Sequence, residues 1–326
     1  MQKKMQPLRH IAGAFALTLL PATYAAAAYP ERPITIVVAF APGGNVDATA
    51  RALAPSLARA LGQSVVIDNR AGAGGTIGSN LVARAQPDGY TLMVGSTATN
   101  ATAPAFMKAS YDPVSSFTPI GGISTTPSVV VISPALNVST YKDLVAASKS
   151  RANGLNMGSP GTGSLNHLTT ELLKQKTGLN AIHIPYKGAG PALTDLMGNQ
   201  LDAMVDQLSS SAPFLDSGKL RAVAQTGATR SALLPDVPTL REQGIKDVDV
   251  QVYTGLFAPA GVPTDVREAL VKALAQAMQD KEFLNRLKTQ GSDPLQLSQS
   301  EFAAYVASEA KRWRDVIETS GIAAQN

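Results

Sequence analysis

From Pro33 onward, short apolar runs suited to strands alternate with patterns suited to helices, and this alternation limits the possible folds more than any other feature. The strand-like runs occupy residues 34–40, 64–68, 91–95, 127–132, 155–158, 181–184, 203–206 and 220–225, with a longer extended segment over 248–258. Helical patterns fall at 46–61, 76–85, 141–149, 165–176 and 192–198. Several strand runs are continuously apolar, as strands covered on both faces require. Strands that alternate with helices in this way predict an α/β fold with mainly parallel sheets flanked by helices.

Past Thr264 the pattern turns helical. Val266, Leu270, Leu274 and Met278 recur every fourth position behind a Thr264 cap, giving one apolar stripe. The last helix opens on Ser298-Gln299-Ser300-Glu301, a capping-box pattern, and its stripe of Phe302, Val306, Ala310, Trp313 and Ile317 is expected to dock on one lobe. Pro55 interrupts the first helix pattern, where a proline removes one hydrogen bond.

A chain of 326 residues is long for one small domain. We expect two lobes, the first built from residues 29–125 and 254–326 and the second from 126–253, with the chain crossing near 124–127 and 250–254. Two crossings make two hinge strands, which permit closure over a ligand. Ahead of this body, Lys3, Lys4 and Arg9 precede an apolar run from Ile11 to Leu20, Pro21, and a stretch of small residues to Ala28. That order predicts a signal peptide over 1–28, cleaved after Ala26 or Ala28, and a periplasmic location. The apolar run is about half the roughly 20 residues that a spanning helix needs.

The chain carries 28 Lys and Arg against 24 Asp and Glu, but residues 1–28 hold three of the cations and no acid, leaving 25 against 24. Nothing in that balance points to nucleic acid. There are no cysteines, which excludes disulfides, thiolate chemistry and a lipid-modified mature N-terminus.

Two strand-to-helix junctions look chemically alike. One is Ala41-Pro42-Gly43-Gly44-Asn45-Val46-Asp47 and the other Gly158-Ser159-Pro160-Gly161-Thr162-Gly163-Ser164. Glycines let backbone approach a ligand, and the first amides of a helix are unpaired at the positive end of its dipole. Each loop alone reads as a tight turn; one in each half suggests an anion site shared across a cleft. Asp47 beside such a site either stabilises its own helix start or receives an amine or hydroxyl. A third cluster, from Ala71 to Gly78, fits no dinucleotide fingerprint and reads as a turn. His167 and His183 show no metal-ligand spacing and read as structural, so neither a metal, a cofactor nor a catalytic residue is expected. Lys187 is a further, weaker ligand candidate.

These residues resemble one family. Tyr29-Pro30-Glu31-Arg32-Pro33-Ile34, the first glycine loop with Asp47, Asn69-Arg70-Ala71-Gly72-Ala73-Gly74-Gly75 and Pro87-Asp88-Gly89-Tyr90 are similar to the Bug (Bordetella uptake gene) proteins. Gly161-Thr162-Gly163-Ser164 with His167, His183-Ile184-Pro185-Tyr186-Lys187-Gly188 and Pro235-Asp236-Val237-Pro238-Thr239 continue the likeness, which covers essentially the whole mature chain. Bug proteins are the substrate-binding components of tripartite tricarboxylate transporters. The resemblance implies a two-lobed periplasmic binding protein (Venus-flytrap) fold. It also implies a small carboxylate (a di- or tricarboxylate, an amino acid or an aromatic acid) held by the two loops, and integral-membrane permease subunits as partners. By the same likeness the ligand contacts are Pro42, Gly43, Gly44, Asp47, Ser96, Gly161, Thr162, Gly163 and Ser164, with Asp206 at a strand end. The protein is expected to be a monomer and not an enzyme; a sensor's ligand-binding partner or a secreted hydrolase are the alternatives. Ala41 and Tyr253 depart from the family pattern and are expected near the cleft rim.

Overall fold

A computed structural model of the protein describes residues 1–2 and 29–320 except 108, 247 and 249. Apart from its first two residues, the expected signal peptide lies outside the described residues. Among the described residues ten strands form: β1 (Ile34–Val38), β2 (Val65–Asn69), β3 (Thr91–Ser96), β4 (Phe117–Ile132), β5 (Leu155–Ser159), β6 (Ala181–Pro185), β7 (Ala203–Gln207), β8 (Arg221–Gln225), β9 (Gln251–Pro259) and β10 (Asp293–Pro294). The helices are α1 (Asn45–Leu61), α2 (Thr76–Ala83), α3 (Ala103–Phe106), α4 (Tyr141–Ser150), α5 (Leu165–Thr177), α6 (Ala189–Met197), α7 (Leu208–Asp216), α8 (Thr264–Ala277), α9 (Lys281–Thr289) and α10 (Gln299–Ser320).

The strands run β2-β1-β3-β9-β4-β7-β5-β6, with β8 and β10 also paired to β4. At each end of this order the pairs are parallel, β1 with β2 and β3, and β5 with β6 and β7. In the middle β4 and β9 pair antiparallel, matching Thr125 to Tyr253 and Thr126 to Val252. The Ser124 and Thr254 hydroxyls tie the two strands at 2.8 Å. Each end of the strand order is therefore built of parallel βα units, and β4 carries the chain from one end to the other.

Burial follows the strand period. Val130 and Ile132 enter one core with Leu144, Leu165 and Leu168, while Val129 and Val131 enter another with Leu193, Leu196 and Leu208. Side chains that alternate across a strand serve both layers of helices, so these runs need no polar face. In the first lobe Ile36 and Val38 pack with Leu53 and Leu270, and Val37 packs on the opposite face with Phe257.

Two local expectations change. β4 begins at Phe117, ten residues before the run at 127, because Pro119, Gly121 and Gly122 hide its period and bulge the pairing. Pro263, not Thr264, caps α8, and Thr264 makes no side-chain cap bond. The serine-rich start of α7 is helical, and its Ser210 and Ser211 hydroxyls both donate to Asp206. In α10, Phe302 and Val306 belong to the core around Tyr253 and Phe257, and Ala310, Trp313 and Ile317 to the core that holds Ala101, Phe106 and Val130. Its capping box is reciprocal, Ser298 N to Glu301 at 2.8 Å and Glu301 N to Ser298 at 3.3 Å. Pro55 is exposed, so the Arg51 carbonyl that it leaves free faces water.

Candidate functional site

In the first lobe the order β2-β1-β3 places a topological switch point between β1 and β3; in the second, β6-β5-β7 places one between β5 and β7. Crevices outside the carboxyl ends of strands at such points are where α/β sheets take ligands. The two points face each other across one cavity of about 30 Å³. Gly44, Asn45 and Val46 follow β1, Ser96 ends β3, Ser164 and Asn166 follow β5, and Gln207 ends β7, all on its wall. Phe40, Val252 and Ala189 supply apolar surface. No residue of this wall carries an ionisable side chain among the described residues.

The charge of the site comes from the backbone. α1 begins after Gly44 and α5 after Ser164, so the amides of Asn45 and Val46 and those of Leu165 and Asn166 lie ahead of the first helical bonds. Among the described residues, no protein group accepts from these four amides. Each helix start adds roughly half a positive charge.

The loops are braced from behind. Gly43 adopts φ 89° and donates its amide to Asp47 Oδ2 at 3.0 Å. The same carboxylate accepts from Arg51 Nε and from Asn69 Nδ2, each at 3.0 Å. Asp47 is thus engaged by protein on all sides and lies off the cavity wall. In the second loop Gly163 adopts φ 77° and donates to His167 Nδ1 at 3.2 Å, which fixes that ring as neutral with Nδ1 bare. His183 stacks on His167 with centroids 3.9 Å apart, and its Nε2 bonds Ser159 Oγ at 2.6 Å. Ser159 Oγ in turn accepts the Gly161 amide at 3.1 Å. Burial pushes both imidazoles down to about 4, and each ring's neighbours (Lys174, and for His183 also His167) add to the shift. This serine–histidine pair is a brace rather than a nucleophile and base: Ser159 is fully buried and off the cavity wall.

The lobes also meet backbone to backbone. Ala41 N donates to the Lys187 carbonyl at 3.0 Å. A Cβ on Gly190 would run into the Pro42 carbonyl oxygen, and one on Gly74 into the Thr162 carbonyl oxygen. The third glycine cluster is a turn, with Gly72, Gly74 and Gly75 all at positive φ, and also a contact surface between lobes.

Of the expected contacts, Gly44, Ser96 and Ser164 line the cavity. Gly43, Asp47, Gly161 and Gly163 hold the loops in shape, and Pro42 and Thr162 meet the opposite lobe. Asp206 is fully buried with Oδ2 bonded to Ser210 at 2.5 Å and Ser211 at 2.6 Å, while Oδ1 has no partner. Burial, opposed by those serines, pushes its carboxyl up to about 6. It is Gln207, the next residue, that reaches the wall, because adjacent strand residues face opposite ways. The same alternation puts Val252 on the wall and Tyr253 in the core, not at the rim. Ala41 does sit at the lobe junction, and the Lys187 side chain is exposed.

Asn45, Asn166 and Gln207 were not among the residues picked from sequence. Their signal was position alone: the first turn after a glycine loop, and the last residue of a switch-point strand. Asn166 Nδ2 donates to the Val205 carbonyl at 2.8 Å, and its Oδ1 accepts from Gln207 Nε2 at 2.8 Å. Asn45 Oδ1 accepts from Ser209 Oγ of the opposite lobe at 2.6 Å.

Comparison with known proteins agrees with this geometry. Residues 49–322 match the profile of the tripartite tricarboxylate transporter family receptor, TctC. The chain is 33% identical over 320 residues to BugT of Bordetella pertussis, covering 97% of this chain and 98% of that protein. The structure of the periplasmic binding protein BugD superposes with a TM-score of 0.88 at 38% identity, covering 91% of this chain and all of that one. MatC from Rhodopseudomonas palustris, solved with bound malate, superposes with a TM-score of 0.84 at 34% identity, covering 89% of this chain and all of that one. The fold, the paired glycine loops and these likenesses converge: the chain belongs to the tripartite tricarboxylate transporter receptors, the Bug family of periplasmic solute-binding proteins.

Proposed function

We propose that this chain traps one small carboxylate between its lobes and presents it to the integral-membrane permease subunits of a tripartite transporter. The observation that carries this reading is the pair of helix starts, α1 and α5, whose unpaired amides border the same cavity. An anion taken from water is stable in such a cavity only if donors replace its hydration, and these amides do so without a counter-charge. Bound malate in MatC, a relative of the same fold, supports the ligand class.

On this reading residues 29–125 with 254–326 form one lobe and 126–253 the other, joined by β4 and β9, with α10 lying across both. Residues 1–28 direct export and are removed. The receptor works as a monomer without cofactor or metal, and it releases its ligand unchanged. The wall offers no nucleophile beside a base, which argues against hydrolysis. Ligand contacts are Gly44, Ser96 and Ser164, with residues 42–43 and 161–163 shaping the two loops, while Asp47 acts through the Gly43 amide and Asp206 through the serine hydroxyls that start α7.

Calorimetric titration of the purified protein with mono-, di- and tricarboxylates tests the proposal. Saturable binding of at least one acid, weakened about tenfold or more in Ser164→Ala, is expected. Silence across the panel would sink it.

A further inference from the structure

Two polar side chains on the cavity wall are buried and unsatisfied. Asn45 is 3% exposed, and its Nδ2 has no hydrogen-bond partner. Its Oδ1 is committed, to Ser209 Oγ at 2.6 Å and more weakly to Thr126 Oγ1 at 3.4 Å. The carboxamide is therefore pinned by its oxygen, and its N–H donors are left on the wall. Ser96 is 1% exposed and its Oγ also lacks a partner, although its amide is used by Thr99 Oγ1 at 2.8 Å. A native interior rarely leaves such groups unmade, and on the cavity wall the bond is open to a ligand atom or to a water that a ligand displaces.

Charge narrows the partner further. Two helix starts supply about one positive charge between them, enough for one carboxylate. The cavity wall carries no Arg, Lys or His. The nearby cation of the first loop, Arg51, is spent on Asp47. A second carboxylate drawn into this wall would be desolvated without a counter-charge, whereas a hydroxyl or keto oxygen needs only the donors that Asn45 and Ser96 offer. The cavity is small, which favours a compact guest.

We infer that the site selects a compact monocarboxylate bearing an uncharged oxygen substituent, with Asn45 Nδ2 and Ser96 Oγ reading that oxygen, an inference that rests on the carboxylate reading above. Asn45 is then a specificity residue, and its bond to Ser209 makes the reading available when the lobes are together.

The test is calorimetry of the full chain with four acids of one carbon skeleton: butanoate, 2-hydroxybutanoate, succinate and malate. The hydroxyl should tighten binding about tenfold in both pairs, and the second carboxylate should weaken it about tenfold in both. In Asn45→Leu the hydroxyl gain collapses while butanoate affinity changes little. Asn45→Ala removes the donor without adding an acceptor or a charge, so the gain must collapse there too should the leucine variant fail to fold. Ser209→Ala removes the bond that pins the carboxamide; it weakens all four acids and shrinks the hydroxyl gain, but by less than either Asn45 variant. A hydroxyl gain that survives both Asn45 variants overturns the role of Asn45. Succinate or malate binding more tightly than its monocarboxylate counterpart overturns the charge argument. If none of the four acids binds and the wider panel of acids is also silent, the carboxylate reading itself has failed, an outcome distinct from the other two.

Discussion

Gly190 of one lobe faces the Pro42 carbonyl of the other so closely that a Cβ on Gly190 would overlap that oxygen. Gly190 lies in the first turn of α6, where alanine is a better helix former than glycine by about 1 kcal/mol. Gly190→Ala should therefore leave the unliganded melting temperature unchanged or slightly raised. Its cost falls on closure, and we expect about tenfold weaker binding. Small-angle scattering with ligand should show the variant staying more extended than the wild type. Equal affinity and equal compaction would refute a seam made of backbone.

Asp47 holds the Gly43 amide, Arg51 and Asn69 at once. Asp47→Ala removes one acceptor and strands three donors, so a loss of about 1–3 kcal/mol in unfolding free energy is expected, with weaker ligand binding. Arg51 is about half exposed, and Arg51→Ala should cost less, since exposed pairs contribute about 0–1 kcal/mol. Denaturant titrations that rank the two variants the other way would remove Asp47 as the organiser of the loop.

Much of this arrangement was legible in the sequence. Strand and helix alternation gave the layers, and the twin glycine junctions located the cavity to within a few residues. What the sequence hid was direction. Asp206 and Gln207 are neighbours, as are Val252 and Tyr253, and a strand sends one of each pair to the cleft and the other into the core. Register decides which, and register depends on pairing with distant strands. The role of Asp47 was hidden for a related reason, because Asn69 approaches it from β2, 22 positions along the chain. The start of α7 was not read from sequence at all: its serines are held by the buried Asp206, which local propensity does not reveal.

The histidine stack predicts acid sensitivity. Both imidazoles are pushed down to about 4 from an ordinary value near 6.5. Between those values the unfolded chain binds more protons than the folded one, so stability is full above about pH 6.5 and declines as pH falls toward 4. Each histidine contributes at most about 1.4 kcal/mol per pH unit in that window. Protonating His167 Nδ1 also breaks the Gly163 bond, so ligand affinity should fall with it. Melting curves from pH 7 to pH 4 should flatten in a His167→Gln, His183→Gln double variant, and an unchanged slope would refute the brace.

Asp206 works in the opposite sense. Its carboxyl is pushed up to about 6, so the folded state holds the proton more tightly and the charged form opposes folding above that value. Asp206→Asn mimics the protonated acid and keeps an acceptor for Ser210 and Ser211. The variant should be more stable than wild type at pH 8 by about 1–3 kcal/mol, with the difference vanishing near pH 4. A variant that is less stable at pH 8 would show that the charged carboxylate is needed there.

The seam at Ala41, Pro42, Gly74, Thr162, Gly188 and Gly190 is made of main chain, while the side chains of the cavity wall, such as Phe40, Ser96, Gln207 and Val252, stand apart from it. Movement and taste are consequently written in different parts of the gene. A lineage carrying this architecture is free to exchange wall residues and capture new compounds, whereas almost any change at the seam glycines strikes the shutter itself.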